Sequence, residues 1–183
     1  MLQTRNPQHL LAQSQIIHST VAVESSITRL SQEISTVLAE ACPVVICVMG
    51  GGIVFAGQLL TQLSFPLEID YVHASRYANE TSGSALVWKA LPKSDLTGRT
   101  VLLVDDILDE GITLLEIQQK CLALGAKEVY CAVLVEKKLN KLKPIQAHFV
   151  GLEVPNAYVF GYGMDVYGWW RNLPAIYALQ VSA

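Results

Sequence analysis

Apolar residues in this chain gather into short unbroken runs separated by amphipathic or polar stretches. Runs at 44–49, 67–75, 100–105, 129–135 and 148–154 read as strands, with 85–88 as a further short one. They lack strict polar alternation, which is the pattern of strands buried on both faces. Between them lie helical periods. Ser19 or Thr20 caps a predicted helix to about residue 40, with Ile27, Leu30, Ile34, Val37 and Leu38 on one face. Gly50, Gly51 and Gly52 turn the first strand into a second helix over 53–63, and a third spans 112–124 and closes at Gly125. Strands alternating with helices predict an α/β fold with a mainly parallel central sheet flanked by helices. Ligands of such sheets sit beyond the carboxyl ends of the strands, which directs attention to the loops after Met49, Asp105 and Val135.

Composition narrows the function classes. A chain of 183 residues with 51% hydrophobic content is one domain with a single sizeable core. Its net charge of −3 gives no general attraction for nucleic acid or an anionic membrane. A small anionic ligand therefore needs a local trap of backbone amides, a metal ion or a few cations. The four cysteines form no CxxC pair, and three lie in apolar runs, as expected of reduced core thiols. No apolar run approaches the ~20 residues of a membrane helix, and the first fifteen residues lack a signal-peptide pattern. A cytoplasmic location is the expectation.

The chemistry concentrates after the run at 100–105. That strand delivers the adjacent carboxylates Asp105 and Asp106, and a short loop then opens a helix through Asp109, Glu110, Gly111, Ile112 and Thr113. Unpaired first-turn amides beside the positive end of a helix dipole hold a phosphate without Lys or Arg. Vicinal carboxylates suit the two hydroxyls of a ribose diol. Asp109 by itself reads equally as an N-cap, and the Lys-rich stretch 137–143 as a solvated loop. A Rossmann dehydrogenase is disfavoured because Phe55 stands where the third glycine belongs, and no P-loop signature occurs.

The whole segment, apolar strand, paired acids, two apolar residues and Asp-x-Gly-x-Thr, resembles the phosphoribosyl pyrophosphate signature of the type I phosphoribosyltransferases. The likeness runs from Val44 to Leu173, and its details resemble the hypoxanthine-guanine branch: the strand ending at Lys137, the segment from Phe149 through Tyr158 to Asp165, and the motif around Arg171. It implies that fold with a small hood subdomain, to which 1–42 contributes, a core over 43–155 and a purine-binding segment over 156–183. It also implies transfer of a 5-phosphoribosyl group from phosphoribosyl pyrophosphate to hypoxanthine or guanine, by a homodimer or homotetramer. Xanthine preference, or a nucleic-acid-binding regulator of the same fold, is the alternative.

By the same resemblance Asp109 is the catalytic base, and residues 105, 106 and 109–113 hold the ribose phosphate. Gly50, Gly51 and Arg171 bind pyrophosphate, while Arg76 and Tyr77 belong to a lid. Lys137 reads the purine O6, Tyr158 stacks on the base, and Val159 and Asp165 contact its edge. Asp105, Asp106 and Asp165 approach Mg²⁺, partly through water or substrate. Three positions depart from the pattern: Gly50 lacks the cation of many relatives, Glu110 replaces a small hydroxyl residue, and Ile112 replaces a polar or basic one. The Glu110 carboxylate must then face solvent or a cation to avoid repelling the phosphate. Trp169 and Trp170 are expected in packing or a subunit contact.

Overall fold

The computed structural model describes residues 6–76 and 86–180. In chain order its elements are α1 (Pro7–Ala12), β1 (Ser14–His18), α2 (Thr20–Leu38), β2 (Val44–Met49), α3 (Gly52–Leu60), β3 (Glu68–Arg76) and β4 (Leu86–Ala90). There follow β5 (Thr100–Leu108), α4 (Ile112–Ala123), β6 (Glu128–Lys137), β7 (Phe149–Val154), β8 (Val159–Phe160) and β9 (Ile176–Leu179).

Six strands form the main sheet in the order β4-β3-β2-β5-β6-β7. All its pairs are parallel except β3 with β4. The unbroken apolar runs have the anticipated cause. Along β5, Leu102 and Val104 enter the core beneath α2 and α3, whereas Val101 and Leu103 enter the core beneath α4. Each such side chain is worth roughly 1.5–3 kcal/mol of burial, so both faces of the strand are selected for apolar residues. Helix α2 begins where expected, with the Ser19 hydroxyl accepting from the Ala22 amide at 3.3 Å.

The small sheet, β1-β9-β8, is antiparallel and joins the two ends of the chain. Its strands are short and lack a long apolar run, and α1, β1, β8 and β9 are absent from the sequence expectation. Residues 1–42, expected as a hood contribution, divide: β1 is an edge strand of the small sheet, while α2 packs on the large one through Val23, Ile27, Leu30 and Ile34. An amphipathic helix with so wide an apolar face needs a large sheet to cover it.

Two expected boundaries also move. β5 continues past Asp105 to Leu108, because Ile107 and Leu108 keep pairing with Val135 and Glu136. Arg76, expected in a polar loop, is the last residue of β3 and pairs with Leu86. Tyr77, the other expected lid residue, lies outside the described residues.

Candidate active site

The loop between β5 and α4 encloses a cavity of about 310 Å³ lined entirely by residues from Asp105 to Leu114. Gly111 stands at the N-cap of α4 with φ +84°, a left-handed conformation that glycine adopts freely, and no side chain caps the helix. Among the described residues no protein acceptor meets the amides of Gly111, Ile112 or Thr113. These N–H groups remain available to an anion. Glu110 does not spoil the site, because its carboxylate meets the Lys141 ammonium at 2.5 Å.

The two acids sit in the last part of β5. The Asp105 carboxylate turns back to accept from the Asp106 amide at 2.9 Å. Burial first, and then the neighbouring Asp106 charge, hold the Asp105 carboxyl well above the usual carboxylate range. Burial also raises Asp106, against the pull of the Arg171 charge.

Asp106 is also packed against glycines. A Cβ at Gly51 would lie 1.9 Å from its Oδ2, and a Cβ at Gly163 would lie 2.1 Å from the Gly51 carbonyl oxygen. The loop after β2, the end of β5 and the turn after β8 therefore meet with no room for a methyl group. Gly50, by contrast, has nothing within 4 Å of such a position.

A second cavity of about 310 Å³ opens beside the first, lined by Asp106, Asp109, Lys137, Tyr158, Val159 and Asp165 among others. Lys137 and Asp109 face each other in an ion pair of 2.6 Å. Val159 is buried in β8, with its backbone paired to Ala178, while Tyr158 leaves 43% of its surface exposed. Asp165 pairs with Arg171, and its other oxygen accepts from the Gly168 amide at 2.7 Å. Arg171 also donates to the Gly163 carbonyl at 2.6 Å, so protein atoms already engage its guanidinium.

Similarity to known proteins agrees with this geometry. A family model, the phosphoribosyl transferase domain, matches residues 13–167. The chain belongs to the phosphoribosyl transferase family. The hypoxanthine-guanine phosphoribosyltransferase of Bacillus subtilis (strain 168) is 32% identical over 167 residues, covering 90% of this chain and 92% of that protein. The hypoxanthine-guanine-xanthine phosphoribosyltransferase of Tritrichomonas foetus is 31% identical over 169 residues, covering 91% and 92%. Among solved structures, a hypoxanthine-guanine-xanthine phosphoribosyltransferase superposes with a TM-score of 0.82 at 29% identity over 91% of this chain and 97% of that one. A hypoxanthine-guanine phosphoribosyltransferase from Bacillus anthracis str. 'Ames Ancestor' gives 0.84 at 28% identity, over 91% and 98%. The fold is that of the type I phosphoribosyltransferases.

Within this phosphoribosyltransferase site, sequence reasoning missed Lys143. Lys138 and Lys141 keep the solvated character expected of the Lys-rich stretch, with side chains 56% and 59% exposed. The Lys143 side chain is only 9% exposed and meets Glu136 at 3.1 Å and the Leu108 carbonyl at 2.9 Å. It ties the ends of β5 and β6 together through the residues that immediately precede Asp109 and Lys137 in sequence. Spacing carries no signal for this, since only the fold brings residues 108, 136 and 143 together. Tyr167, which stacks on Tyr158, was missed too. Trp170 is a packing residue, its indole N–H donating to the Pro7 carbonyl at 2.7 Å, whereas Trp169 is 55% exposed.

Proposed function

We propose that the protein salvages 6-oxopurines, transferring the 5-phosphoribosyl group of phosphoribosyl pyrophosphate to hypoxanthine or guanine to give IMP or GMP and pyrophosphate. The observation that carries the reading is the cavity at 105–114, with open amides at Gly111, Ile112 and Thr113, adjoining one flanked by an acid and a lysine. The 5-phosphate is held by those amides and by the Thr113 hydroxyl, and the ribose hydroxyls meet Asp105 and Asp106. The backbone of Gly50 and Gly51 takes the pyrophosphate, aided by Arg171 once it exchanges its protein partners.

The base enters between Lys137 and Tyr158. The Lys137 ammonium has donors only, so it satisfies a 6-oxo group and repels a 6-amino group. As the purine N9–C1′ bond forms and the C1′–O bond to pyrophosphate breaks, Asp109 accepts or shares the proton at N7. Val159 and Asp165 border the purine edge. Lid closure by Arg76 and Tyr77 belongs to the same reading.

The donors at the site fit Mg²⁺. Asp105, Asp106 and Asp165 offer only hard carboxylate oxygens, and no group of three or more His, Cys, Asp or Glu forms a cage among the described residues. A cation held there keeps waters and substrate oxygens in its shell, which is the habit of Mg²⁺. When bound it neutralises the charge growing on the leaving pyrophosphate. Residues 43–155 act as core and 156–183 as the base-binding segment. The exposed apolar side chains Ile69, Tyr71, Val87 and Leu91 on and beside the β3–β4 edge favour a homodimer or homotetramer. No helix among the described residues is long and apolar enough to cross a membrane, and a cytoplasmic location fits the proposed substrates.

The test is one assay with phosphoribosyl pyrophosphate, Mg²⁺ and each of hypoxanthine, guanine, xanthine and adenine. The expected result is IMP and GMP with far less AMP. Pyrophosphate release with none of the four refutes the proposal, and a clear preference for xanthine replaces its substrate assignment.

A further inference from the structure

Two half-exposed tyrosines lie against each other at the mouth of the base cavity. The rings of Tyr158 and Tyr167 are stacked, with centroids 5.7 Å apart and planes 28° from parallel. Tyr158 lines the cavity with Lys137 and Asp109, whereas Tyr167 is outside its lining. Tyr158 thus has one face covered by a second aromatic ring.

The turn that presents Tyr167 is tightly made. Val166 and Trp169 exchange backbone hydrogen bonds of 3.0 and 3.1 Å across it. Its central residues, Tyr167 and Gly168, have φ of +53° and +88°. Positive φ at both central positions is the pattern of a type I′ turn, which ordinarily takes Asn or Gly. A tyrosine in the left-handed region is disfavoured by its Cβ and persists where its surroundings or its use require it. Asp165 anchors the same turn through Gly168, and Arg171 anchors Asp165.

We propose that Tyr167 is a positioning residue, fixing the Tyr158 ring so that its remaining face is preset to stack on the purine. This rests on the functional reading above and adds a determinant of base affinity outside the cavity itself. Preorganising an aromatic platform lowers the ordering cost of binding a flat base and leaves the phosphate loop untouched. The Tyr167 contribution should therefore appear in the KM for base and not in that for phosphoribosyl pyrophosphate.

Tyr167→Asn removes the ring while supplying a residue suited to the left-handed backbone, and Tyr167→Phe keeps the ring. The measurements are KM for hypoxanthine and for phosphoribosyl pyrophosphate, with the Kd of IMP by calorimetry. For Tyr167→Asn the expected rise in hypoxanthine KM and IMP Kd is roughly 2- to 10-fold, the scale of one aromatic pair. The phosphoribosyl pyrophosphate KM should stay within about twofold, and Tyr167→Phe should match the wild type on the same scale. If the wild type binds IMP and Tyr167→Asn binds it equally well, or if both KM values rise together, the role of Tyr167 is overturned alone. A wild-type protein that binds no IMP overturns the functional reading and this inference with it.

Discussion

Lys137 and Asp109 pair at 2.6 Å across the base cavity, yet they are unequally buried, the lysine side chain 13% exposed and the aspartate 44%. The lysine emerges from the end of β6 with its stem covered, whereas the aspartate stands on the loop before α4. Without a base each charge satisfies the other. A 6-oxopurine presents an acceptor at O6 and an imidazole nitrogen at N7 on one edge, so it can replace this contact with one bond to each residue.

The lysines of the 137–143 stretch should behave very differently. Lys137→Ala should lower kcat/KM for hypoxanthine by about 100-fold or more, if it reads the 6-oxo position as proposed. Lys138 meets Glu153 at 2.6 Å with both side chains more than half exposed to solvent screening, so its removal should leave stability and kinetics near wild type. Steady-state rates of the two variants check this, and equal losses would show that Lys137 is misassigned.

Lys143 should matter for stability. Lys143→Met leaves Glu136 and the Leu108 carbonyl without their cation, at an expected cost of about 1–3 kcal/mol. Adding Glu136→Gln should recover part of that loss, because the uncompensated carboxylate is then gone. Urea unfolding of the single and double variants measures the coupling; strict additivity would argue against the clamp.

Neighbouring glycines should separate cleanly. Gly51→Ala drives a Cβ into the Asp106 carboxylate, so the loop or the acid must shift, costing about 1–3 kcal/mol together with loss of activity. Gly50→Ala meets no atom within 4 Å and should change stability by no more than about 0.5 kcal/mol. Thermal melts of the two proteins side by side decide the matter.

A pH dependence follows from His148. Its Nδ1 accepts the Cys131 amide at 3.1 Å, which requires that nitrogen to be unprotonated, and burial lowers its pKa from the ordinary value. The folded state then binds fewer protons than the unfolded chain as pH falls. This contribution is fully present above the unfolded value near 6.5 and is lost as pH drops through the folded value. His148→Asn keeps an acceptor that does not titrate, so its melting temperature should fall less than that of the wild type between pH 7 and 5. Parallel slopes would remove His148 from the account.

The sequence by itself determined the strands of the main sheet and its three long helices, and it carried the expectation of an anion-binding loop after β5. Each is written locally: an unbroken apolar run means two covered faces, and Asp-x-Gly-x-Thr after a strand means a helix opening on exposed amides. Tertiary structure alone decided the rest. The small sheet pairs residue 14 with 179, a contact that no local period encodes. Lys143 looks like any lysine of a charged loop until the ends of β5 and β6 close around it, and Tyr167 looks like a turn residue until Tyr158 is set beside it. Local patterns record which face of an element is covered. They do not record which distant side chain supplies the cover, because that choice is made only when the elements pack.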